Sequence, residues 1–235
     1  MYQDTHLVAI DKPAGLLVHR SGLDAGETRF AVQWLRDQIG RPVWPAHRLD
    51  KGTSGVLLFA LDRATAGLLG ALFEAPGAID KTYLAVVRGW PAAHGLIDHP
   101  LTRLPDDGRP GATPPAPQAA RTRFRTLQRY ELPLPQGDFA QTRCALLELQ
   151  PESGRRHQLR RHCKHIAHPI IGDATHGKGA LNRALAGWLG LQRLWLHART
   201  LQLVHPVSGS VLRIDAPPDA SWSRWAAYEQ AAAAD

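Results

Sequence analysis

Asp50 sits in "AHRLDKGTSGVLLFA", residues 46–60. Two cations, Arg48 and Lys51, lie beside it, and a wholly apolar run follows at once from Val56. Aspartate is a common turn residue, so a capping role alone would account for it. A carboxylate where a polar loop enters a buried strand can also be held rigidly and partly dehydrated, and there it can act as a nucleophile. A second cluster is "GRRHQLRRH", residues 154–162. Arg156 and Arg160 share a helix face if the helix has begun by then. Arg155, Arg161 and Lys164 widen the basic surface. One arginine of such a set suits a buried carboxylate and the others suit phosphates; a plain solvated face is the alternative. His157, His162, His165 and His168 raise a metal site. No cysteine or carboxylate completes a ligand set with them and no His-Glu-x-x-His motif occurs, so no metal is expected. Tyr83, in "KTYLAVV", is either a core aromatic or a platform for a nucleobase.

The elements that must position these residues are legible from pattern. "HLVAIDKPAGLLVHRSG" reads as two short strands around a Lys-Pro-Ala-Gly turn. In "TRFAVQWLRDQIG", Phe30, Ala31, Trp34, Leu35 and Ile39 recur at helical spacing, and Gly40 is a natural stop. "GVLLFA" predicts a central strand, "RATAGLLGALFEA" a second amphipathic helix ended by Pro76-Gly77, and "KTYLAVVRG" another strand. "ARTRFRTLQRYEL" and "QTRCALLELQ" predict an antiparallel pair. Leu159, Cys163 and Ile166 give the basic segment one apolar stripe, hence a helix. "LWLHARTLQLVHP" and "VLRIDAP" predict closing strands. Residues 104–118 are rich in Pro and Gly and are expected to form a flexible surface insertion. Together these predict an α+β protein with a mixed, mainly antiparallel sheet flanked by helices.

The chain has 235 residues, enough for one large domain or two small lobes. It carries 28 Lys+Arg against 21 Asp+Glu, a net +7 that leans towards a polyanionic partner. Its only cysteines, Cys144 and Cys163, form no Cys-x-x-Cys motif, which excludes a disulfide scaffold and fits a reducing compartment. No apolar run approaches the roughly 20 residues that span a bilayer. A soluble cytoplasmic protein, without membrane contact and monomeric, is the expectation.

"HRLDKGTSGVLLFA", "KTYLAVVRG" and "GRRHQLRRHCKHIAHPIIGD" together resemble, in order and spacing, the three signature motifs of the RluA family of pseudouridine synthases. The resemblance covers most of the chain, from about residue 2 to about residue 215. Within the family, "HPIIGDATHGKGALNR", "GLQRLWLHA" and the doubled arginines resemble the members that modify a uridine in the T-stem and acceptor region of tRNA. What it implies is a single pseudouridine synthase domain over 1–235, with no N-terminal S4-type RNA-binding domain.

It also implies an isomerisation: the N1–C1′ bond of a uridine breaks, the uracil turns, and C5 joins C1′. No cofactor and no metal are needed. Asp50 is implied as the nucleophile, at C1′ or at C6, with Arg160 as its paired cation. Tyr83 is implied to pack on the flipped uracil and to relay the proton lost from C5. Arg48 would fill the gap left in the RNA, and Leu196 would supply an apolar wall. Lys81, Arg155, Arg156 and Arg161 are expected to bind the RNA backbone. A ribosomal-RNA synthase of the same family, a non-catalytic RNA-binding protein and a His-based metallohydrolase are the competing expectations.

Overall fold

A strand that is buried at every position explains most of the first half of the chain. "SGVLLFA" has no polar face, so its strand must be covered on both sides and paired along both edges. In the computed structural model, which describes residues 1–19, 26, 28–104 and 116–230, that is what happens. In chain order the strands are β1 (Tyr2–Gln3), β2 (Leu7–Lys12), β3 (Trp44–Pro45), β4 (Ser54–Ala60), β5 (Ile79–Arg88), β6 (His94–Asp98), β7 (Arg121–Leu132), β8 (Thr142–Pro151), β9 (Leu196–Val204), β10 (Val211–Asp215) and β11 (Glu229–Gln230). The helices are α1 (Ala31–Ile39), α2 (Arg63–Glu74), α3 (Gln158–His165) and α4 (Gly179–Leu189), with a 3-10 helix over Ala220–Tyr228. None is long and apolar enough to cross a membrane, among the described residues.

The chain divides into two compact units. The first comprises Met1–Lys81, Thr102–Gln118 and Ala198–Pro217; the second comprises Thr82–Leu101, Ala119–His197 and Pro218–Asp235. In the first, β2 runs antiparallel to β4, from Leu7 opposite Ala60 to Lys12 opposite Gly55. β1 pairs with β2, β3 with β4, and β10 with β9, all antiparallel. Val56, Leu58 and Ala60 of β4 pack with Leu7, Ala9, Leu69, Leu201 and Ile214. α2 starts where Asp62 caps it, accepting from the Thr65 N–H at 2.8 Å. α1 stops at Gly40, whose φ of 71° is the left-handed conformation that ends a helix.

In the second unit β7 and β8 form a long antiparallel pair with a bulge between Thr126 and Gln128. β5 pairs antiparallel with β8, β6 with β7, and β11 with β7. One core joins Ala85, Val87, Leu147, Leu149, Leu159, Cys163 and Ile170. Another joins Val86, Tyr130, Leu181, Leu185, Trp195 and Trp225. The mainly antiparallel α+β architecture is the one expected.

Three local expectations need correction. Among the described residues of this stretch no second strand follows β2; Leu17 pairs in an isolated bridge to Phe30. The chain instead curls round the Lys12 ammonium, which draws in the carbonyls of Pro13 and Leu16. α3 begins at Gln158, so Arg156 precedes it and does not share a helical face with Arg160. Ile166 ends α3 rather than extending its stripe. The helix α4 was not expected, although Leu181, Leu185 and Leu189 bury one face of it. Of the expected 104–118 insertion, residues 105–115 lie outside the described residues.

Candidate active site

The first unit carries Asp50 on a turn between β3 and β4. Its carbonyl accepts from the Thr53 N–H at 3.0 Å, which closes the turn. Leu49, Thr53 and Ser54 on either side are buried, while Asp50 is half-buried and Arg48 exposed. The next residue, Lys51, pins the turn to the N-terminal segment. Its carbonyl accepts from the Gly15 N–H at 2.8 Å and from the Lys12 Nζ at 3.2 Å.

Lys12 is the group here that the sequence did not single out. It is fully buried, and its ammonium also donates to the carbonyls of Pro13 (2.9 Å) and Leu16 (2.8 Å). Burial pushes its pKa down to about 8, against the charges of Asp50 and Asp11, which favour the ammonium. A buried cation therefore stands in the electrostatic neighbourhood of Asp50 and fastens its loop at the same time. His47, two residues before Arg48's neighbour Leu49, is neutral: its Nε2 accepts from the Leu58 N–H, and burial followed by the charge of Lys81 pushes it down to about 3. Lys81 is itself shifted down by burial. At Gly55, φ is +107° and a Cβ would collide with the Ala198 carbonyl, so only glycine lets β4 and β9 approach directly after the turn.

The second unit carries Tyr83, Arg160 and Leu196. Tyr83 lies on β5 opposite Leu149, and its half-buried ring packs against the apolar cluster that contains Leu196 and Leu159. α3 starts abruptly after His157, which takes a left-handed φ of 55°. Gln158 fixes this start: its Oε1 accepts from the Arg155 N–H and the Ser153 hydroxyl, and its Nε2 donates to the Arg121 carbonyl. One turn on, His162 bonds Thr122 Oγ1 at 2.9 Å and the His99 carbonyl at 3.1 Å. The buried polar face of α3 is thus secured against β7.

Arg160 is buried on another side of α3. Its Nε donates to Asp173 Oδ2 at 2.7 Å and its Nη2 to Asp173 Oδ1 at 2.8 Å, a two-pronged pair. Burial would raise the Asp173 carboxyl. The Arg160 hydrogen bond, the His176 N–H, the Arg160 charge and the Thr175 N–H outweigh it and hold it below the usual carboxylate range. Asp173 was not foreseen as a partner. Its signal, "IIGD", was present, but nothing in linear spacing ties residue 173 to residue 160.

Arg155 and Arg156 are exposed and Arg161 is half-buried, so the basic surface expected of this segment is present. The histidines of this segment make contacts within the protein. His157 Nδ1 bonds His176 Nε2 at 2.9 Å, and His165 stacks on His99 at 3.7 Å. Among the described residues no group of His, Cys, Asp and Glu is placed to hold a metal ion.

The fold is mainly antiparallel, with an aspartate on a pinned turn in the first unit and a buried arginine on a basic helix in the second. Residues 6–165 match the family model described as RNA pseudouridylate synthase, and the chain belongs to that family. It is 48% identical over 224 residues to the tRNA pseudouridine synthase C of Vibrio cholerae serotype O1, covering 94% of this chain and 91% of the relative. It is 48% identical over 223 residues to the protein of the same name from Haemophilus ducreyi, again covering 94% and 91%. Among solved structures, Human RNA Pseudouridylate Synthase Domain Containing 1 superposes with a TM-score of 0.74 at 24% identity, over 100% of this chain and 89% of that one.

Proposed function

We propose that the protein converts a uridine in the T-stem and acceptor region of tRNA to pseudouridine, with Asp50 as nucleophile, Arg160 as the cation paired with it and Tyr83 against the target base. The observation that carries the substrate is the likeness to relatives named tRNA pseudouridine synthase C along nearly the whole chain.

The chemistry asks three things of the protein. The target base must leave its stack, so an apolar surface has to receive it. Tyr83 and Leu196 belong to one apolar cluster that suits this task. A nucleophile must be held still before the base arrives, so that orientation is settled in advance. The turn at Asp50, fixed through Thr53 and through Lys12 and Gly15 on Lys51, suits it. After the glycosidic bond opens and C5 joins C1′, C5 must lose its proton and N1 must gain one. Tyr83 is assigned the first of these transfers. The exposed Arg48, Arg155 and Arg156, with Arg161 and Lys81, are assigned to the RNA, supported by the net +7 charge.

Mapping pseudouridines in tRNA and ribosomal RNA from a strain lacking the gene tests the substrate. Loss of one tRNA pseudouridine, restored by the wild-type gene, supports the proposal. Loss confined to ribosomal RNA would overturn it.

A further inference from the structure

Asp173 is a thoroughly held carboxylate of the second unit. Its side chain is wholly buried, against 9% exposure for that of Arg160. Besides the two bonds from Arg160, its Oδ1 accepts from the Thr175 N–H at 2.9 Å and the His176 N–H at 2.8 Å. Its backbone is clamped from α4: Asn182 Oδ1 accepts from the Gly172 N–H and Asn182 Nδ2 donates to the Asp173 carbonyl, both at 2.9 Å. Gly172, at φ +79°, has no room for a Cβ against the Arg193 carbonyl. Ile170 and Ile171, just before it, are buried in two different cores of this unit. The carboxylate is therefore fixed from two helices, a loop and the sheet before any RNA binds.

A buried ion pair is weak evidence for stability, because well-packed apolar side chains of the same volume often do as well. Here the surrounding cluster is apolar, with Leu159, Cys163 and Ile170. A built-in charge pair at such a place asks for a reason other than stability. The geometry supplies one. The fork engages Nε and one side of Nη2, which fixes the plane of the guanidinium. The other three N–H bonds, two on Nη1 and one on Nη2, then have set directions.

We infer that Asp173 is a positioning residue for the isomerisation: it sets the orientation of Arg160 and acts on the reaction only through it. This rests on the assignment of Arg160 to the reaction made above. Asn182 and the Gly172 backbone serve Asp173 in turn. Replacing Asp173 by asparagine keeps the shape but turns one acceptor into an N–H donor facing a guanidinium N–H, so the fork cannot close.

The test is a double-mutant cycle of R160M, D173N and R160M/D173N. The readouts are single-turnover rate at saturating enzyme, tRNA affinity and thermal midpoint. D173N should lower the rate roughly 100-fold, as loss of one aimed donor does elsewhere. Its tRNA affinity should stay within about threefold of wild type, and adding D173N to R160M should lower the rate by less than about threefold more. If D173N does not fold, D173E replaces it in the cycle, since it keeps the charge and displaces the fork. A D173N rate near wild type beside a crippled R160M would overturn the inference and leave Arg160 in place. So would a further tenfold-scale loss on adding D173N to R160M. An R160M enzyme with wild-type rate would remove Arg160 from the reaction, and the inference with it.

Discussion

Lys12 to methionine is the substitution whose consequence is best worked from the structure. The ammonium donates to three carbonyls, of Pro13, Leu16 and Lys51, and is completely buried. Methionine fills the space and takes the donor from the Pro13 and Leu16 carbonyls, at about 1–3 kcal/mol each, while the Lys51 carbonyl keeps the Gly15 N–H. It also removes a buried charge. The Lys12 pKa lies at about 8 in the folded protein against 10.5 ordinarily. That fall of about 2.5 units corresponds to roughly 3 kcal/mol of penalty on the charged form. At pH 7 gain and loss largely oppose each other, and K12M should be less stable by only a few kcal/mol. The difference grows with pH. Between pH 8 and 10.5 the folded wild type has released the Lys12 proton while the unfolded chain still holds it. Stability then rises with pH, by up to about 1.4 kcal/mol per unit from this group. K12M lacks the group. Urea unfolding of both proteins at pH 7, 8, 9 and 10 reads the effect as a widening gap, approaching roughly 3 kcal/mol in total. Parallel stability curves across this range would refute the claim that Lys12 is a strained, buried cation.

Because the charge of Asp50 supports the Lys12 ammonium, D50N should bring the onset of that rise to lower pH in the same urea series. Tyr83→Phe should leave tRNA affinity nearly unchanged and slow single turnover, since the ring is kept and only the hydroxyl is lost; an unchanged rate would reduce Tyr83 to a packing surface. Gly55→Ala should destabilise by at least about 2 kcal/mol, read as the urea midpoint, because the left-handed φ and the Ala198 carbonyl both oppose a Cβ.

The sheet was legible because its strands announce themselves by composition. The continuous apolar run of β4 and the paired runs of β7 and β8 need no tertiary information to be read. Asp50, Tyr83 and Arg160 could be singled out as candidates because each stands in a long patterned stretch. What the sequence hid were partners that meet only in the fold. Asp173 reaches Arg160 across a loop whose course depends on Gly172 and Asn182. Lys12 looked like part of a hairpin turn, and its burial could not be inferred from a lysine before a proline. It is the three carbonyls around its ammonium that replace the expected second strand with a loop. α4 was missed although its leucines recur every four residues, because the Gly and Lys before it obscure its start.

The central claim is that Asp50 carries out the isomerisation of a tRNA uridine. It is tested most directly by tritium release from tRNA labelled at C5 of uridine, comparing wild type with D50N at saturating enzyme. Each uridine isomerised loses its C5 hydrogen, so release counts turnover. Asparagine keeps the shape of the side chain and removes its charge, leaving the Thr53 and Lys51 contacts of the turn, which are made by the backbone. The account predicts stoichiometric release by wild type and none above background by D50N, with tRNA binding by D50N retained. Release by D50N within about tenfold of the wild-type rate would contradict it.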